Sequence, residues 1–90
     1  MDKANWNIRV KGKVQGVAFR AYARDKANQL SISGYARNMP DGSVLLEAEG
    51  LVDDLSDFYN WCKKGPMWAR VDHIDLTKGR VQGLESFMIR

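Results

Sequence analysis

The stretch Trp6–Leu30, W-N-I-R-V-K-G-K-V-Q-G-V-A-F-R-A-Y-A-R-D-K-A-N-Q-L, changes its hydrophobic period partway along. Trp6, Ile8 and Val10 alternate with Asn7, Arg9 and Lys11, the period of two that marks a half-buried strand. Beyond Gly12 and Gly16 the apolar positions become Phe19, Ala23, Ala27 and Leu30, at spacings of four, four and three. Those spacings make one helical stripe, with Arg24, Asp25, Lys26 and Asn28 largely off it. A strand therefore feeds a helix through a glycine-bearing loop, and Ser33-Gly34 is expected to close that unit. The loop ends on Arg20, a cation at a helix start, where the macrodipole disfavours positive charge by up to about 1 kcal/mol.

Downstream, Tyr35 to Met39 reads as a short strand. In M-P-D-G-S the proline presets φ and Gly42 accepts a positive φ, so Pro40-Asp41-Gly42 is a turn. Val44, Leu46 and Ala48 alternate with Leu45, Glu47 and Glu49, which predicts a strand returning as a hairpin. Leu51, Leu55, Phe58 and Cys62 then form a second helical stripe, widened by Val52 and Tyr59. Asp53 and Asp54 lie in its first turn and Lys63 and Lys64 in its last, both favourable to the dipole, and Gly65-Pro66 stops it. Ala69 to Leu76 is a fourth strand in which Val71 and Ile74 break strict alternation, so a bulge or an early end is expected. Phe87 to Arg90 makes a short terminal strand.

The order strand, helix, strand, strand, helix, strand, plus a short terminal strand, implies the α+β split β-α-β, or ferredoxin-like, arrangement. Two helices pack on one face of an antiparallel sheet. A right-handed strand–helix–strand crossover makes the first two strands parallel. Their C-terminal ends then share one sheet edge, and the Lys13–Arg20 loop can face Asn38.

Ninety residues, with no linker or low-complexity stretch, give one expected domain over 1–90. No segment approaches the roughly 20 apolar residues of a membrane span, and M-D-K-A-N-W lacks the apolar run of a signal peptide. The single cysteine, Cys62, excludes an intrachain disulfide, and the cytoplasm is the expected compartment. Charge is unevenly spread. Arg9, Lys11, Lys13, Arg20 and Arg24 fall in a segment without a carboxylate, while the whole chain nets only +3. Such a basic segment suggests an anionic partner, either a small phosphate or a nucleic-acid backbone.

The loop has what a phosphate cradle needs. Gly16 turns without a Cβ penalty, and Val17, Ala18 and Phe19 offer amide N–H groups without competing polar side chains. Successive amides backed by a helix N-terminus bind anions, and Arg20 adds a planar bidentate donor to the same oxygens. A bound anion would offset the unfavourable position of that arginine. Gly12 and Gly16 are too close for the G-x-x-x-x-G-K-[ST] loop, and the glycines do not spell G-x-G-x-x-G, so nucleotide binding is not supported.

Three blocks, G-K-V-Q-G-V-A-F-R, G-Y-A-R-N-M-P-D-G-S-V-L-L-E-A-E-G and W-C-K-K-G-P, with F-x-I-R at Phe87 to Arg90, closely resemble the acylphosphatase family over nearly the whole chain. Two departures are visible: Tyr35 stands where tryptophan is common, and Ser31-Ile32-Ser33 replaces a more usual Gly-Leu pattern. The resemblance implies the ferredoxin-like fold and hydrolysis of an acyl phosphate to a carboxylate and inorganic phosphate, without metal or cofactor. Carried over residue by residue, it makes Gln15, Gly16, Val17, Ala18, Phe19 and Arg20 the phosphate cradle. Arg20 is then the phosphate-binding arginine, and Asn38 orients the attacking water. The implied partners are a small acyl phosphate and inorganic phosphate as product and inhibitor, with no membrane or nucleic acid, and the protein is expected to act as a monomer.

The residues suit that chemistry, because phosphoryl transfer to water with a good leaving group needs positioning and charge stabilisation more than covalent help. His73, the only histidine, reads as a structural or surface residue, and Cys62 as core. Trp6, Trp61 and Trp68 are read as packing residues. Glu47 and Glu49 are read as solvent-face carboxylates, not an acid–base pair. The alternative from another class is a non-catalytic ferredoxin-like module that binds RNA or another polyanion through Arg9–Arg24. Against it, Asn7, Arg9 and Lys11 occupy the strand face where base-stacking aromatics would be needed.

Overall fold

A computed structural model describes residues 2–90 of the chain. The elements in order are β1 (Lys3–Lys13), α1 (Phe19–Gln29), β2 (Ser33–Asn38), β3 (Val44–Leu51), α2 (Val52–Lys64), β4 (Arg70–Gly79) and β5 (Phe87–Ile89). The sheet runs β4-β1-β3-β2-β5. β1 pairs antiparallel with both β3 and β4, and β2 pairs antiparallel with β3. β1 and β2 are consequently parallel with β3 between them, as the crossover requires.

One face of the sheet carries the core. Trp6, Ile8 and Val10 of β1, Val44, Leu46 and Ala48 of β3 and Ala36 of β2 are buried against two helical stripes. The stripes are Phe19, Ala23 and Ala27 on α1 and Leu55, Phe58 and Cys62 on α2. Burial pushes the Cys62 thiol well above its ordinary pKa, in keeping with a core residue.

Three local expectations are revised, and of the two offered for β4 one is met. β5 joins the sheet parallel to β2, so the sheet is mixed, with an antiparallel body and one parallel pair. β4 does not end early. It carries a bulge, because Lys11 faces His73 while Gly12 faces Val71, leaving Asp72 as the extra residue. α1 closes at Ser31, before Ser33-Gly34. The Ile32 N–H donates to Ala27 O at 2.8 Å and the Ser31 N–H to Asn28 O at 3.3 Å, the paired bonds of a Schellman cap. Trp68 is not a packing residue: it is 71% exposed at the tip of the turn between α2 and β4.

The largest revision concerns Glu47 and Glu49. They point to the face opposite the helices, as the alternation requires, but both are buried, because residues 80–86 cross that face on their way to β5. Glu47 accepts hydrogen bonds from Asn5 Nδ2 (2.9 Å), Tyr35 Oη (3.0 Å) and Gln82 Nε2 (3.0 Å). Glu49 accepts them from Asn5 Nδ2 (2.9 Å) and from the N–H groups of Gln82 (2.5 Å) and Leu84 (2.9 Å). Asn7 donates to Asn5 Oδ1 at 3.1 Å, turning the Asn5 NH2 toward the two carboxylates. Desolvating a charge costs several kcal/mol, and bonds to charged groups return about 1.5–3 kcal/mol each, so three per carboxylate offset the burial.

Candidate active site

The C-terminal ends of β1 and β2 meet at one edge of the sheet, and a cleft of about 160 Å3 opens there. Its walls are Val14, Gly16, Ala18, Phe19, Arg20 and Ala21 on one side, Asn38 on the other, and Ile89 of β5.

The loop wall owes its shape to two residues with positive φ, Gly16 at 74° and Ala18 at 60°. Ala18 is the N-cap of α1 and carries no side-chain oxygen to cap it. The first helical bond runs from the Tyr22 N–H to Ala18 O at 3.1 Å, so the N–H groups of Phe19, Arg20 and Ala21 have no intrahelical acceptor. α1 also has no acidic residue in its first turn, whereas α2 has Asp53 and Asp54 there. One chain thus contains a helix start supplied with carboxylates and a helix start supplied with an arginine. Only the second borders this cleft, and its donors and dipole favour an anion.

Arg20 is steadied from the far end of the chain. Its Nη1 donates to the main-chain oxygen of Arg90 at 2.9 Å, and the Arg90 N–H donates to Ala36 O at 2.8 Å, continuing the β2–β5 pairing. The Arg90 guanidinium lies 4.2 Å from the centre of the Tyr35 ring. Burial, followed by the hydrogen bond to Glu47, pushes the Tyr35 hydroxyl above its ordinary pKa.

On the opposite wall Asn38 ends β2 with its side chain half-buried and, among the described residues, committed to no hydrogen bond. The turn after it is capped by Asp41 instead. Asp41 Oδ1 accepts from Ser43 Oγ at 2.5 Å and from the Ser43 N–H at 3.0 Å, and these bonds hold its carboxyl below the ordinary range. That leaves the Asn38 amide free to act in the cleft.

The sequence of the matched region decides the family. The acylphosphatase family model matches residues 6–89. The chain belongs to the acylphosphatase family. An acylphosphatase of Thermus thermophilus is 46% identical over 80 residues, spanning 89% of this chain and 91% of the relative. One from a Nocardioides species is 43% identical over 84 residues, spanning 93% and 85%. The crystal structure of the Bacillus subtilis acylphosphatase superposes with a TM-score of 0.94 at 33% identity, covering 97% of this chain and 98% of that one. Family membership carries hydrolysis of acyl phosphates with it and lends the non-catalytic alternative no support. The cations of the basic segment fall on different elements. Arg9 lies on the open sheet face near Asp41 (3.9 Å), whereas Arg20 and Arg24 belong to α1 on the other face. The basic segment is contiguous in sequence but divided between β1 and α1.

Of the cradle named from the acylphosphatase resemblance, Gly16, Ala18, Phe19 and Arg20 line the cleft together with Asn38. Val17 instead packs half-buried against the core. The Gln15 side chain also turns away from the cleft, donating to Met39 O and Ser43 O. His73 lies outside the cleft, exposed on β4, with Nε2 2.9 Å from Asp75 Oδ1. Sequence reasoning missed Ile89 and the Arg90 main-chain oxygen. Their only signal was the terminal F-x-I-R, which gives no hint that β5 runs parallel to β2 and arrives at the same edge. Among the described residues, no helix is long and apolar enough to cross a membrane.

Proposed function

We propose that the cleft is where this acylphosphatase does its chemistry, with the amides of Gly16 to Phe19 and the guanidinium of Arg20 holding the phosphoryl oxygens. Asn38 holds the attacking water in line with the scissile bond. The observation that carries this reading is the uncapped, acid-free N-terminus of α1 with Arg20 beside it, facing an uncommitted amide across a small cleft. The water oxygen forms a bond to phosphorus while the bond from phosphorus to the carboxyl oxygen breaks, and the carboxylate leaves with the electron pair. A carboxylate needs no proton to depart, so no general acid is required. An asparagine amide is not a base, and the water's proton passes to a phosphate oxygen. The donors act before and during transfer without reorganising, which is where most of the stabilisation of a loose transition state arises. The cleft walls, among the described residues, carry no carboxylate, thiol or imidazole, so the charge stabilisation in this reading comes from the loop amides and Arg20. The reading extends to a one-domain, monomeric enzyme of the cytoplasm.

The test is hydrolysis of benzoyl phosphate in EDTA by the wild type and by Arg20→Gln. The wild type turns over in EDTA, and Arg20→Gln loses at least about 1,000-fold in kcat/KM, or about 4 kcal/mol of transition-state stabilisation. Inhibition by inorganic phosphate weakens in parallel. Unchanged phosphate inhibition in Arg20→Gln would remove that residue from the cradle.

A further inference from the structure

We propose that Gln15 is a positioning residue whose side-chain amide latches the phosphate loop to the turn between β2 and β3, setting the distance from the loop amides to Asn38. The proposal rests on the reading of Asn38 as the holder of the water. Gln15 Nε2 donates to Met39 O and to Ser43 O, both at 2.9 Å, across sequence separations of 24 and 28 residues. A primary amide has two N–H donors, and both are used, so nothing remains to donate to a phosphate. The remaining polar atom, Oε1, is an acceptor and would repel one.

The two carbonyls sit on opposite arms of the turn. Met39 O also accepts from the Gly42 N–H at 3.0 Å, and Ser43 O from the Met39 N–H at 2.8 Å. Gln15 thus completes a closed set of bonds around the base of the turn. Its neighbour Gly16 lies in one wall of the cleft, and Asn38, the neighbour of Met39, forms the other. β1 and β2 are not adjacent in the sheet, because β3 lies between them. Among the described residues, the two bonds of Gln15 are the only hydrogen bonds that join the loop to the turn directly. In-line attack is sensitive to such spacing, and a misplacement of about 1 Å can cost about 100-fold in rate.

The test measures kcat, KM and the inhibition constant of inorganic phosphate for Gln15→Ala, Asn38→Ala and the double variant. Gln15→Met, which keeps the length of the stem but donates nothing, serves if alanine impairs folding. Gln15→Ala and Gln15→Met lower kcat by about 10- to 100-fold while the phosphate constant moves less than about 3-fold. Because Gln15 acts through Asn38, the double variant falls within about 3-fold of Asn38→Ala alone. Gln15→Glu is worse than alanine when ionised, since a carboxylate then faces two carbonyl oxygens. It recovers toward acid pH, where the protonated carboxyl can donate to one of them. Phosphate affinity falling in step with kcat would make Gln15 a ligand and overturn the proposal, as would multiplicative losses in the double variant. If Asn38→Ala alone keeps its kcat, the reading of Asn38 fails and takes the latch with it, whereas an impaired Asn38→Ala with multiplicative losses removes the latch alone.

Discussion

Among the described residues two other than glycine have positive φ, and they bracket α1: Ala18 at 60° before it and Ser31 at 55° after it. The left-handed region costs a residue with a Cβ about 1–2 kcal/mol. At Ala18 the conformation starts α1 in the cleft wall, and in the proposed reading the amides around it hold the phosphoryl group, which gives the strain a functional return. At Ser31 it only completes the cap that joins Ile32 to Ala27, and glycine would complete that cap equally well. Glycine has its own cost of about 0.4–1 kcal/mol through the freedom it restores to the unfolded chain. The difference favours glycine. Ser31→Gly raises stability by about 0.5–1 kcal/mol in urea unfolding and leaves kcat unchanged, since the C-terminal end of α1 is the end away from the cleft. A lower urea midpoint for the variant would show that the serine makes a contact outweighing its strain.

Among the elements, the segment 80–86 is held chiefly by what it offers to two carboxylates. Burial pushes the Glu49 carboxyl up, but the Asn5 amide and the N–H groups of Gln82, Leu84 and Gly83 outweigh it and hold the pKa below the ordinary 4.5. A depressed carboxyl contributes stability that is fully present above 4.5 and is lost as pH falls through its lowered native value. Glu49→Gln cannot reproduce this, because its NH2 meets N–H donors. The variant loses about 1–3 kcal/mol at neutral pH, and its urea midpoint changes less between neutral and acid pH than that of the wild type. Equal pH dependence in both proteins would mean that another group titrates.

Glu49 also marks where the sequence stops being legible. The stripes Phe19-Ala23-Ala27 and Leu55-Phe58-Cys62 and the alternation of Trp6-Ile8-Val10 were readable because each is set by contacts repeating within its own element. The crossover then brought Gly16 to Arg20 opposite Asn38 from topology alone. Which face Glu47 and Glu49 occupy was equally readable. That a segment 35 residues further on would bury them was not, since alternation looks the same whether a face meets water or a later strap. The bonding of Gln15 and the pairing of β5 were hidden for the same reason. Gln15 is defined by carbonyls 24 and 28 residues away, and the parallel pairing of β5 with β2 leaves no local pattern.

Over the whole molecule, charge separates what the protein can bind from what its composition suggests. A net charge of +3 with five cations in one stretch suits a polyanion, yet folding sends that stretch to both faces of the sheet and around one edge. Arg9 and Arg24 each lie 3.9 Å from an aspartate oxygen, and Arg20 is engaged with the Arg90 main chain. What remains concentrated is the set of donors at the start of α1, beside a cleft of about 160 Å3. A ligand that binds only the native state stabilises it by RT ln(1 + [L]/Kd), about 2.7 kcal/mol at a hundredfold excess over Kd. Inorganic phosphate therefore raises the Tm of the wild type as its concentration climbs, and Arg20→Gln abolishes that rise. With the cleft as the anion site, single-stranded RNA at micromolar protein and low salt gives no retarded band. A salt-dependent band together with a phosphate-insensitive Tm would mean that the distributed charge, and not the cleft, is the anion site.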